Sequence, residues 1–342
     1  MRRTVVVSAL TAALLVGFLV SASVGQLSVS PANVVGTLLD HLGIGTSWRP
    51  HRLIDAEAIW QIRMPRVCMS VLVGAALGVA GAVMQAVFGN PLAEPGVVGV
   101  SSGAALGAAI AITAGVELAG GWGTAALAFL GGAIATGVAY ATARQSGRIE
   151  MVTLLLTGIA VNAVTGAALA MLLFVGTQAS REEVIFWQLG SLNGTRWHEV
   201  GLVAVVGVIV TAVVWTQSRR YDLLALGERT AQHLGVRVER LRLLSIASVA
   251  LLVGVGVAFT GIIAFVGLVV PHVVRMVLGP AHRTLIPVSA LGGAVLLTWA
   301  DLGARTLQSG ADLPIGMLTS LLGGPFFFWL VRSTRAKAGG WA

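Results

Sequence analysis

Three arginines, Arg63, Arg66 and Arg305, stand at the ends of long apolar runs. Asp301 lies four residues before Arg305, the helical spacing at which an acid and a base pair. Arginines so placed either snorkel to lipid headgroups or form a basic docking surface for an acidic partner. Asn162 is the least apolar group in the middle of another run. An amide there either lines a polar path or bridges two helices. Ser101-Ser102-Gly103 lacks the G-x-S-x-G pattern of a nucleophile elbow, so its hydroxyls are expected to serve packing or interhelical hydrogen bonds. The six histidines show no metal-ligand spacing. His272, beside Pro271, reads as structural. The single lysine, Lys337, lies between Ala336 and Ala338, so the G-x-x-x-x-G-K-[ST] phosphate loop is missing. If ATP drives this chain, another subunit must hold the nucleotide and its magnesium; no cofactor or metal is expected here.

The surroundings of these residues are bilayer. Of 342 residues, 56% are apolar and 11% charged, with a mean hydropathy of +0.89; soluble domains carry about 25% charged residues. The net charge of +8 is not a nucleic-acid signal, because the arginines sit in short loops between apolar runs. Cys68, the one cysteine, lies inside such a run and reads as a small hydrophobe. The runs predict ten spans over 5–25, 64–88, 96–115, 122–142, 151–175, 196–216, 241–260, 262–278, 285–304 and 314–332. The N-terminal Arg pair and apolar run could pass for a signal peptide, but the run is long enough to be read as an uncleaved first span. The whole of 1–342 is expected to form one transmembrane domain, all-α rather than barrel. With the N-terminus inside, 15 of the 22 basic residues fall on the inner side and 7 outside, which predicts two cytoplasmic termini in a cell membrane. Arg63, Arg66 and Arg305 are then on the outer side.

Two interruptions matter. After the second span, Asn90-Pro91-Leu92-Ala93-Glu94-Pro95-Gly96 cannot continue as helix, since each proline removes a donor and restricts the residue before it. Small residues four apart, Gly74/Gly78 and Gly99/Gly103/Gly107, predict close helix approach on either side. The second interruption, 217–242, is polar and basic. Its leucines, Leu223, Leu224, Leu226 and Leu234, predict the apolar faces of two short helices broken near Gly227 and Gly235. Taken by itself, it reads as a plain basic cytoplasmic loop.

R-x-P-R followed by GAALGVAGAVMQAVFGNPLAEPGVVGVSSGA resembles a signature of the permease family of bacterial ABC importers for iron–siderophores, haem and vitamin B12. GIIAFVGLVVPHVVRMVLGPAHR (261–283) looks like that family's other signature. LLLTGIAVNAVTGA, FWQLGSLNG, ALGERTAQHLGV, WADLGAR and LPIGMLTSLLGGPFFFWLV follow the family's order, and the likeness runs over about residues 5–335. The resemblance implies a type II importer permease fold. It also implies a second permease copy, two ATP-binding cassette subunits inside and a substrate-binding protein outside. It assigns docking of the binding protein to Arg63, Arg66 and Arg305. The inner gate would be Asn90, Leu92, Met151 and Val152, with Asn162 on the path. Leu226, Gly227, Glu228, Leu234 and Gly235 would couple to the ATPase. Vitamin B12 relatives tend to small hydroxyl residues where this chain has Met151 and Val152. That more apolar mouth suits a flat apolar cargo such as haem. REEVIFWQLGSLNGTRW and the C-terminal GGWA also look more like actinobacterial haem permeases. A ferric siderophore is the alternative cargo. An ion-coupled carrier or a channel is the alternative of another class, disfavoured because no chain of intramembrane acids appears and a channel has no use for ALGERTAQHLGV.

Overall fold

Apolar runs of more than about 20 residues can satisfy their backbone in lipid only as helices, and helices are what form. The computed structural model describes residues 1–25, 29–50, 52–116, 122–145, 147–308 and 311–337, without the side chains of 330, 331 and 333–337. In chain order the helices are α1 (Arg2–Ser23), α2 (Pro31–His41), α3 (Leu53–Glu57), α4 (Met64–Val87), α5 (Val100–Ala114), α6 (Trp122–Ala143), α7 (Met151–Val175), α8 (Gln178–Leu189), α9 (Trp197–Thr216), α10 (Ser218–Leu224), α11 (Glu228–His233), α12 (Val238–Thr260), α13 (Val266–Leu278), α14 (His282–Thr306) and α15 (Ile315–Lys337). A π-helical turn, Ala58–Arg63, leads into α4, and a 3-10 turn, Pro95–Val98, precedes α5. Two short antiparallel strands, β1 (Arg144–Gln145) and β2 (Arg148–Ile149), join α6 to α7.

Each of the ten expected spans has a helix. Seven are long and apolar enough to cross a membrane, and the shorter ones are α5, α13 and the apolar part of α15. At 13 residues, α13 reaches only about 20 Å. Irregular stretches precede both α5 and α13, and such backbone is tolerated at membrane depth only when protein covers it. The sequence reading omitted the short helices α2, α3 and α8 and the β1–β2 hairpin.

Helix α4 is the centre of the bundle, packed by α9, α12, α13 and α14. Its small residues explain this. A Cβ at Gly74 would overlap the Gly293 carbonyl oxygen on α14, and one at Gly78 that of Ser289. Gly103 and Gly107 of α5 meet α6 in the same way, at Gly131 and Leu127. Gly99 instead caps α5 in the left-handed region at φ 86°. Helix α7 differs: only Leu154, Gly158 and Thr165 are buried, against α5, α6 and the 3-10 turn. Val152, Leu156, Ile159, Val164, Met171 and Phe174 are all more than half exposed.

Candidate transport path and coupling site

The three arginines come together, but not on an open face. Arg66 donates from Nε and Nη2 to Asp301 Oδ1 at 3.0 and 2.9 Å, and from Nη1 to Asp312 Oδ2 at 2.5 Å. Arg305 pairs with the other Asp301 oxygen at 3.2 Å, as the four-residue spacing predicts. Arg305 also donates to the carbonyls of Ser21 and Val24, and Arg63 to those of Ala22 and Ser23. The last turn of a helix has unpaired carbonyls and a partial negative charge; here α1 receives guanidinium groups from α14 and from the π-turn. Arg63 and Arg66 are 7% and 8% exposed, so within this chain their guanidinium groups meet internal partners.

The break after α4 is held in place by α13. His272 Nδ1 lies 3.2 Å from the carbonyl oxygen of Pro91. A carbonyl only accepts, so the ring donates there, as a structural histidine would. The Phe265 N–H donates to Glu94 Oε1 at 3.4 Å, and Gln85 Nε2 donates to the Leu268 carbonyl at 3.2 Å. Phe265 adopts φ 67°, uncommon for a bulky residue, at the irregular entry to α13. Asn90 is exposed and its Oδ1 accepts the Leu92 N–H at 2.9 Å. Leu92 and Met151 are half-buried, and Val152 is 63% exposed. The break and α7 are joined through Gly158, where a Cβ would overlap the Val97 carbonyl.

Asn162 bridges two helices. Its Oδ1 accepts from Ser102 Oγ at 2.6 Å, bridging α7 and α5. It also lines a cavity of about 280 Å³ with Gly96, Ser101, Thr165, Gln188 and Ile262. Thr165, Gln188 and Ile262 were not among the candidates. They come from three different elements, and nothing in their linear neighbourhoods marks them.

The 217–242 segment folds as two short helices, α10 and α11. Gly227 breaks them at φ 103°, and Gly235 ends α11 at φ 85°. Leu223 and Leu224 pack on the core, whereas Leu226 and Leu234 are 63% and 56% exposed. The base of the loop is fixed. Tyr221 is fully buried and hydrogen-bonded to Ser245 Oγ at 2.8 Å, and burial pushes its phenol up to about 12. Asp222 Oδ1 accepts from the backbone N–H and Nδ1 of His282 at 2.9 and 2.7 Å. Glu228 pairs with Arg242 at 2.9 Å. Arg242 also pairs with Glu239 at 3.1 Å and donates to the Ile149 carbonyl at 3.1 Å. Glu239 accepts the Ile149 N–H at 2.9 Å. Ile149 ends β2, two residues before α7. A chain of polar contacts therefore runs from the exposed loop to Ile149, just ahead of the exposed apolar helix. The sequence reading found the loop and the helix, but not Arg242, Glu239 or Ile149 between them.

Among the described residues, ten apolar helices, two irregular breaks, a cavity lined by Asn162 and an exposed helical loop make the framework of a multi-pass membrane protein. The chain belongs to the FecCD transport family, whose sequence pattern matches residues 13–333. It is 40% identical over 332 residues to the hemin transport system permease protein HmuU of Yersinia pestis, covering 96% of this chain and 98% of that one. It is 42% identical over 277 residues to the cobalamin import system permease protein BtuC of Halobacterium salinarum, covering 81% and 74%. Among solved structures it superposes on a chain described as a metal-chelate type ABC transporter in an inward-facing conformation. The TM-score is 0.83 and the identity 30%, over 95% of this chain and 98% of that one. ABC importer permeases work with an ATPase and a binding protein. The GGWA tail noted in the sequence lies outside the described residues.

Proposed function

We propose that this chain is the membrane-spanning subunit through which an ATP-driven importer passes haem, or a related iron chelate, into the cytoplasm. One observation carries the path: α7 is apolar on all sides yet packed on one, and its packed side borders the Asn162 cavity. A second copy facing it across a two-fold axis would cover the exposed residues and enclose a route. Asn90, Leu92, Met151 and Val152 would form the inner gate. Exposed Leu226 and Leu234, with Gly227, Glu228 and Gly235, would seat in a cleft of the ATPase, which holds ATP and magnesium. Closure of the ATPases would move α10–α11, and the Glu228–Arg242–Ile149 contacts would carry that movement to α7. Both termini lie in the cytoplasm on this reading. The binding protein docks at the outer end, where Arg63, Arg66 and Arg305 brace the surface, their guanidinium groups being engaged within the chain.

Haem is favoured by the apolar Met151–Val152 pair and by the 40% identity to a hemin permease over nearly the whole chain. A ferric siderophore is the second reading, supported by the metal-chelate neighbour. Proteoliposomes holding this chain, its ATPase and its binding protein are expected to take up haem in preference to ferric siderophores. Saturable ferric-siderophore uptake without haem uptake would reverse the order.

A further inference from the structure

A second cavity lies away from the proposed path. A groove of about 400 Å³ runs between α4, α9 and α14, lined by Leu72, Ala76, Val208, Ala212, Ile286 and Pro287. Its wall is almost wholly apolar. Val208 is 64% exposed, so the groove opens sideways from the bundle. At one end the indole of Trp215 forms part of the wall, and its Nε1–H donates to the Arg283 carbonyl at 3.2 Å. Just past that end stand three exposed arginines. Arg219 and Arg220 belong to the first turn of α10, and Arg283 to the first turn of α14. Among the described residues none of the three is in an ion pair. Arg220 donates only to the neutral Gln217, and the adjacent carboxylate, Asp222, is occupied by His282.

An apolar slot with a Trp at its rim and three unneutralised guanidinium groups past the rim matches one chemistry. A hydrocarbon chain fills the slot, which is too small for another helix of about 10 Å diameter. A phosphate headgroup meets the arginines. Trp and Arg are the residues that settle at headgroup level, and basic clusters at span ends recruit anionic lipid. We propose that this groove binds an anionic phospholipid, with one acyl chain between α4, α9 and α14 and its headgroup on Arg219, Arg220 and Arg283. The bound headgroup would tie the start of α10 to the start of α14, and so the base of the coupling loop to the bundle. The proposal rests on the orientation given above only in placing the headgroup in the cytoplasmic leaflet.

Native mass spectrometry of the purified permease–ATPase complex, titrated with phosphatidylglycerol or phosphatidylcholine, tests this. The wild type is expected to retain phosphatidylglycerol more strongly. Replacing all three arginines, Arg219→Gln, Arg220→Gln and Arg283→Gln, should reduce that retention by about tenfold or more, since each is worth about fivefold near an anionic headgroup. Phosphatidylcholine retention should not change. Ala212→Leu, which narrows the slot and keeps the arginines, should weaken both lipids. Equal retention of the two lipids by the wild type, or phosphatidylglycerol retention unchanged in the triple variant, would overturn the site. Labelling of Arg283→Cys from outside intact cells would overturn the orientation instead, and would leave the lipid readout standing.

Discussion

At Asp301 a carboxylate with no exposed surface holds Arg66 at 2.9 Å and Arg305 at 3.2 Å. Removing one partner of a buried pair leaves the other charge uncompensated, at about 3–5 kcal/mol. Asp301→Asn strands two arginines, although the second carboxylate, Asp312, stays with Arg66. The detergent-solubilised protein is expected to lose about 3 kcal/mol or more, read as a clear drop in the thermal unfolding midpoint; an unchanged midpoint would contradict the role given to this residue. Reversal of Arg63 and Arg66 to Glu should lower the midpoint as well, because both guanidinium groups are internal, so weakened docking by that variant would not by itself locate a contact. The Asp301–Arg305 half of the cluster is legible in sequence, being four residues apart on one helix. The Arg66 half joins positions 235 residues apart, and no local pattern encodes it. The same holds for His272, whose partner Pro91 lies 181 residues away.

The 217–242 loop was legible as an element because its signals are local. Leucines at short helical spacing and glycines where the chain must turn define α10 and α11. Gly227 sits at φ 103°, and proline is locked near −65°. Gly227→Pro should therefore deform the loop while leaving the membrane helices, and so the protein level, intact. The expected outcome is ATP hydrolysis uncoupled from transport; wild-type transport with normal stimulation by cargo-loaded binding protein would contradict it. Arg242→Gln tests the link behind the loop. It removes the ion pairs to Glu228 and Glu239, and with them the charge-assisted hold on Ile149. ATP hydrolysed per cargo transported should rise several-fold, whereas Arg240→Gln, exposed two residues away on the same helix, should leave the ratio as it is. An unchanged ratio in Arg242→Gln would show that movement reaches α7 by another route. The short helices α2 and α8 were missed because, at 11 and 12 residues, they are too short for a span, and their caps, Ser30 and Thr177, are common in any loop.

Across the whole molecule the membrane is what made the fold readable. Lipid demands long apolar helices, so the spans can be counted from composition, and motif order gives the family. What the bilayer does not dictate is which helix faces a partner. Helix α7 reads in sequence like any other span, and what sets it apart is that it is the least buried of the long apolar helices among the described residues. If a second copy covers it, a disulfide between Ile159→Cys residues of two chains, or between neighbouring exposed positions on α7, should form in the assembled complex. Its absence at every exposed α7 position would place another element at the interface. In the proposed importer, ATP hydrolysis drives haem through this chain. Haem uptake into proteoliposomes, with this chain, its ATPase and haem-loaded binding protein, should be saturable and should require ATP. Uptake that proceeds equally without ATP, or a complex that moves only ferric siderophores, would contradict it.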